Sequence, residues 1–141
     1  MSNRLISLTE KSVDIMIGDV KFAISRLTLS ARDLVTKYRT EAATLYADTQ
    51  VFLSEIAEGK DINQIRRKTE TYRKKAEEGD KKIHDLRIAV IKKMLDDNGI
   101  EYNDEYWQNV DVEIPDAFIN AVMSKNEASE QDVKKGALTT Q

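Results

Sequence analysis

The stretch that decides the fold is INQIRRKTETYRKKAEEGDKKIHDLRIAVIKKMLDD, residues 62–97. Ile62, Ile65, Thr69, Tyr72, Ala76, Gly79, Ile83, Leu86, Val90 and Met94 recur at spacings of three and four. That spacing puts them on one strip of an α-helix. No proline interrupts the run, and Asp96-Asp97-Asn98-Gly99 closes it. At 1.5 Å per residue such a helix is roughly 50 Å long. Gly79 lies on the strip, where it marks either a bend or a close approach; relative to Ala it costs about 1 kcal/mol.

The preceding segment has the same period. Val35, Tyr38, Ala42, Leu45, Thr49, Phe52 and Ile56 form a heptad strip, with Thr49 its weak member. Leu34, Tyr46 and Leu53 widen it, so this helix is expected to pack on more than one neighbour. Ser30, with Asp33 three residues on, predicts the N-cap. Gly59 predicts a C-terminal cap and Asp61 the next N-cap. So short a connection makes the helices antiparallel neighbours. Residues 30–97 therefore read as a helical hairpin with a coiled-coil seam.

Upstream, Val13, Ile15 and Ile17 alternate with Asp14 and Met16, and Val20, Phe22 and Ile24 with Lys21, Ala23 and Ser25. Two such runs around Gly18-Asp19 predict a β-hairpin over 12–25 with a type II′ turn. The first eleven residues show no period. Downstream, Asn103 predicts the cap of a short helix through Tyr106 and Trp107. Pro115 predicts the first position of another, carrying Phe118, Ile119 and Val122. The fold class is mainly α with a small N-terminal β-hairpin (α+β). Residues 1–123 are expected to form a single domain, with short helices over 103–123. Residues 124–141 are expected to be a flexible acidic and polar tail.

Composition narrows the function. The 141 residues include no cysteine, five glycines and one proline. Without cysteine there is no disulfide scaffold, thiolate zinc site or cysteine nucleophile. No run approaches the length of a membrane span, and Met1-Ser2-Asn3-Arg4 leads into no signal-peptide core, so a soluble intracellular protein is expected. His84 is the only histidine and has no spaced partner for a metal or catalytic site. No phosphate-binding glycine loop is present. The acidic clusters Asp96-Asp97, Asp104-Glu105 and Asp111-x-Glu113 follow no calcium-loop pattern. The expectation is no enzyme, no cofactor and no metal.

The net charge of −3 conceals a division. Residues 60–93 carry 12 basic and 6 acidic side chains, whereas residues 94–141 carry 3 and 11. Arg66, Arg67, Lys68, Arg73, Lys74, Lys75, Lys81 and Lys82 lie off the seam as a basic face. It reads as the solvated side of a long helix; the functional alternative is a surface for nucleic acid or an acidic partner. Interspersed acids and the lack of interleaved aromatics weaken the nucleic-acid reading. Opposite charges in the two segments can screen each other within or between molecules, which supports masking of the basic face or self-association, and a homo-oligomer is expected. The aromatic residues Tyr102, Tyr106 and Trp107, with Phe118, read as a small core or, alternatively, as a partner anchor.

Residues 13–35, VDIMIGDVKFAISRLTLSARDLV, resemble the opening of small phage tail assembly chaperones: strand, glycine turn, strand, a Leu-Thr segment and a helix start at Asp33-Leu34. Glu105-Tyr106-Trp107, Val110-Asp111 and the Phe118 helix resemble their C-terminal part. The resemblance implies a non-enzymatic virion-assembly helper in the host cytoplasm. Its partner would be a long helical tape measure protein, bound before tail-tube polymerisation. Leu34, Tyr38, Tyr46, Leu53, Tyr106, Trp107 and Phe118 are the candidate contacts. Two alternatives stand beside it: a structural subunit of a tail or head-tail junction, and a nucleic-acid-associated coiled coil using the second helix.

Overall fold

A computed structural model describes residues 12–124. The chain is mainly helical, with an antiparallel hairpin of β1 (Val13–Ile17) and β2 (Val20–Ile24) ahead of the helices. Two long helices follow, α1 (Leu29–Glu58) and α2 (Ile62–Asp97). Then come α3 (Asp104–Asn109) and α4, residues 113–124. The expected tail lies outside the described residues from 125 onward, while Ser124 still belongs to α4. The chain divides into two compact units. One is Asp33–Ala89; the other joins the described residues up to Arg32 to those from Val90 onward.

The composite unit is built on the hairpin. Gly18 has φ of +58°, and Asp19 is not left-handed, the combination that separates type II′ from type I′. The register pairs Val13 with Ile24, Ile15 with Phe22 and Ile17 with Val20. Those six side chains share one face, because alternate residues of a strand point the same way. Phe22 and Ile24 are buried, Val13, Ile15 and Ile17 half-buried, and Val20 exposed.

Phe22 meets the aromatic residues of the short helices. Its ring centroid lies 5.5 Å from Trp107 and 5.6 Å from Phe118, the latter edge-on. Trp107 and Phe118 are themselves 5.3 Å apart, and Tyr106 stands edge-on to Trp107 at 5.2 Å. Such pairs contribute about 0.5–1.5 kcal/mol each beyond the area they bury. Val90, Ile91, Met94 and Leu95 of α2 and Ile119 and Val122 of α4 are also fully buried.

Helix ends explain the boundaries, and two differ from expectation. α1 starts at Leu29 and its cap is Thr28, not Ser30. The Thr28 hydroxyl accepts from the Ala31 amide at 3.2 Å and donates to Asp97 Oδ2 at 2.6 Å. The second bond spans 69 residues, beyond the reach of a local pattern. Pro115 is not the first residue of α4 but falls within its first turn, where a missing N–H leaves no helical bond unmade. Asn103 caps α3 as expected, accepting from the Tyr106 amide at 3.1 Å.

α2 ends in a Schellman motif. Ile100 N bonds Leu95 O at 2.9 Å and Gly99 N bonds Asp96 O at 3.2 Å, with Gly99 at φ +68°. Asn98, one residue earlier, ties that end to β2. Its Oδ1 accepts from the Ser25 and Arg26 amides at 2.9 and 2.8 Å. Its Nδ2 donates to Arg26 O and Met94 O at 2.9 and 2.6 Å. One amide side chain thereby answers four backbone groups.

Two outcomes follow for this unit. Asn98→Ala should lower stability by about 1–2 kcal/mol, because most of the freed groups can turn to water instead. Burial disfavours the Asp97 charge, but the Thr28 hydroxyl and the Lys93 ammonium, 2.9 Å away, outweigh it and hold the carboxyl below its usual 3.8. A depressed folded value means the unfolded chain takes up the proton first. The stability Asp97 contributes is thus present above about pH 4 and lost as pH falls further. Asp97→Asn should be less stable than the parent at pH 7 in urea denaturation, and the gap should shrink at pH 3.

Candidate docking surface on the helical hairpin

In the unit Asp33–Ala89, α1 and α2 pack along the strips expected from sequence. With heptad positions lettered a to g and Val35 and Ile62 at position a, the seam uses a and d. Leu45 enters the space that Gly79 leaves: a Cβ there would stand 3.3 Å from Leu45 Cδ1. Gly79 therefore permits a close approach. Gly59 has a similar role at the turn, where a Cβ would stand 2.9 Å from Ile65 Cγ1. It does not adopt the left-handed cap conformation; its amide bonds Ile56 O at 3.3 Å, and space, not φ, calls for glycine. Asp61 caps α2 as expected, accepting from Asn63 N at 3.0 Å.

Thr49 is polar but satisfied. Its hydroxyl donates to Leu45 O at 2.8 Å and lies 2.6 Å from the Tyr72 hydroxyl. With the threonine hydrogen committed to Leu45, Tyr72 is the donor across the seam. Phe52 lies flat against the Tyr72 ring, centroids 4.2 Å apart. Val35, Tyr38 and Ile83 are buried, but from Ala42 outward the seam residues of α1 are only half-buried. Two helices alone cannot surround a seam.

The flanks of this seam differ. On one, three ion pairs cross between the helices: Lys82 with Glu41 at 2.9 Å, Lys75 with Asp48 and Lys68 with Glu55, both at 3.9 Å. All six residues occupy position g, seven apart along each helix. Mutual g positions face each other only when helices run antiparallel in this register. The pairs are exposed, so each contributes at most about 0.2–1 kcal/mol; their main effect is to select register and orientation.

The opposite flank is formed by the e positions. α1 supplies Arg39, Tyr46 and Leu53; α2 supplies Arg66, Arg73, Asp80 and Arg87. The register set by the ion pairs brings Tyr46 level with Arg73 and Leu53 level with Arg66. No α1 carboxylate is level with either arginine. Tyr46 is 67% exposed and Leu53 47%. Arg73 holds Glu70 of its own helix at 2.9 Å, and the Arg87 guanidinium lies over the Tyr38 ring at 5.7 Å.

These positions sort the residues singled out in the sequence. Tyr38, Trp107 and Phe118 are buried and fill cores, so they present no surface in this conformation. Tyr46 and Leu53 are exposed together on the e flank. Leu34 is half-buried and shares position g with Glu41, so it belongs to the other flank. Tyr106 is half-buried and lines an open depression with Asn103, Glu105, Asn109 and Val110. The basic face resolves into three rows. Lys68, Lys75 and Lys82 make the ion pairs; Arg66 and Arg73 border the open flank; Arg67, Lys74 and Lys81 occupy position f, on the outer side. Two further features carry a signal in the sequence: the matched sevenfold spacing of Glu41, Asp48, Glu55 with Lys68, Lys75, Lys82, and the placing of lysines at position g and arginines at position e of α2.

No helix among the described residues is long and apolar enough to cross a membrane. Among the same residues no group of three or more His, Asp or Glu could hold a metal ion. No protein-family model matches the chain, nor does any curated protein or solved structure.

Reversing one ion pair tests the register. Lys75→Glu should lower the stability of the full chain by about 1 kcal/mol, by setting like charges face to face, and adding Asp48→Lys should recover most of it. Thermal melts followed by circular dichroism measure both.

Proposed function

We propose that this protein is a non-enzymatic assembly helper that binds a long helical partner, in the manner of a phage tail assembly chaperone holding a tape measure protein before the tail tube polymerises. The observation that carries the proposal is the e flank of the hairpin. Tyr46 and Leu53 stand exposed there beside a half-buried seam, leaving a helix-shaped strip without a neighbour among the described residues. An amphipathic helix laid along the strip would bury Tyr46, Leu53 and the rim of the seam together, which is the physics of helix-in-groove recognition. The resemblance of residues 13–35 to the opening of tail assembly chaperones supports the same reading. Self-association through the acidic segment 94–141 and the outer basic row is compatible with it.

A nucleic-acid reading rests on the outer row Arg67, Lys74 and Lys81, for which no ion pair is seen among the described residues. Glu70, Glu77 and Glu78 nearby on α2 weaken its field, and no aromatic side chain accompanies it for stacking. The helix-binding reading therefore stands first.

Co-expression separates the two. With a candidate tape measure protein, the full chain should keep the longer protein soluble, co-purify with it and be missing from finished particles. Failure to co-purify, together with duplex DNA binding that weakens steeply with salt, would transfer the assignment to the nucleic-acid reading.

A further inference from the structure

We propose that the e flank selects an amphipathic helix whose apolar stripe is bordered by carboxylates, with Tyr46 and Leu53 receiving the stripe and Arg66 and Arg73 reading the acids. The inference rests on the helix-binding reading and adds the chemistry of the partner.

Three observations carry it. The first is the asymmetry of the flanks. At position g every basic residue of α2 facing α1 has a carboxylate opposite, at Glu41, Asp48 and Glu55. At position e α1 sets Arg39 level with Asp80, but opposite Arg73 and Arg66 it offers Tyr46 and Leu53 instead, and the charges of those two arginines go unanswered across the seam. A third helix bringing acids to this side would give the open flank what the closed flank already contains.

The second is the choice of cation. The three residues satisfied within the hairpin are all lysine, and the basic residues of α2 on the open flank are all arginine: Arg66, Arg73 and Arg87. Lysine is a compact, strongly hydrated charge suited to an exposed ion pair. Arginine is more weakly hydrated and presents a planar fork that engages a carboxylate through two parallel bonds, and it is enriched where interfaces desolvate. Arg73 is already oriented by Glu70 through one terminal nitrogen, and its side chain remains 65% exposed.

The third is what the flank rejects. Two copies meeting about a twofold axis at Tyr46 and Leu53 would bring Arg66 and Arg73 of one against those of the other. Like charges across an interface are costly, so the geometry disfavours a symmetric dimer here. A basic-bordered helix is disfavoured for the same reason.

The experiment uses the full chain and two labelled helical peptides of about three heptads, identical in their leucine stripe and bordered by Glu in one and Lys in the other. Fluorescence anisotropy gives both affinities. The Glu-bordered peptide should bind at least about tenfold more tightly, and increasingly so at low salt. Arg66→Glu with Arg73→Glu should invert that preference. Arg66→Lys with Arg73→Lys should cause a partial loss, since charge is kept and the fork is lost, and it preserves the test if the reversed variant does not fold. Leu53→Ala with Tyr46→Ala should weaken both peptides. Equal affinity for the two peptides, or binding to neither, overturns the proposal. So does binding unaffected by the arginine changes but lost in Arg67→Glu with Lys74→Glu, or a dimer dissolved by the arginine reversal, or duplex DNA competing with the peptide for the flank. Tape measure capture that survives Arg66→Glu with Arg73→Glu leaves the helper reading intact and overturns the flank alone. Peptide selectivity without tape measure capture does the opposite.

Discussion

An antiparallel pair of helices can hide only one strip of each cylinder, and the unit Asp33–Ala89 is organised around that constraint. Leu45 settles over Gly79, Thr49 takes the Tyr72 hydrogen bond, and Phe52 lies on the Tyr72 ring. Even so, most of the seam stays half-buried. Burial of apolar area is the main favourable term in folding, so a strip closed on one side only is stabilised less than a core enclosed all round. The lysine–carboxylate pairs close one side with charge. The other side carries tyrosine, leucine and arginine, residue types enriched in the buried centres of interfaces except for the leucine.

The composite unit solves its problem differently. A two-stranded hairpin is marginal in water on its own. Here Phe22 and Ile24 are covered, and the Phe22–Trp107–Phe118 triangle joins the strand to both short helices. Polar ties complete the work. Asn98 answers the backbone at the end of β2, and Thr28 caps α1 while holding Asp97. Both ties join residues some 70 positions apart in the chain. The acidic stop after α2 is thus more than a terminator: Asp97 and Asn98 fasten the segments that flank the long hairpin.

Periodicity made the helices and the β-hairpin legible, because a spacing of three and four, or of two, is imposed by backbone geometry and leaves its imprint locally. Caps were legible where the partner is near, as with Asn103 and Asp61, and misread where it is far. Ser30 looked right as a cap by local pattern, yet Thr28 took the place because Asp97 supports it. Gly59 was legible as the stop after α1, but the reason for glycine there, the Ile65 side chain, was not. The docking surface was half legible. Exposed Tyr46 and Leu53 stood out as a widened stripe, but Leu34 was grouped with them, because the side of the seam on which a residue falls depends on register. Register became clear only once Lys68, Lys75 and Lys82 met their acids. Trp107 and Phe118 were open between core and anchor, since aromatic residues serve either purpose; Phe22, 85 residues before Trp107, decides for the core.

The placement of Trp107 has an optical consequence. It is the sole tryptophan of the chain and is packed between Phe22 and Phe118. The indole emission therefore reports the composite unit and is blind to the seam of Asp33–Ala89, whose ring chromophores are tyrosine and phenylalanine. Helical circular dichroism follows both. Any difference between the temperatures at which the two signals fade would measure directly whether the units unfold as one body or in succession.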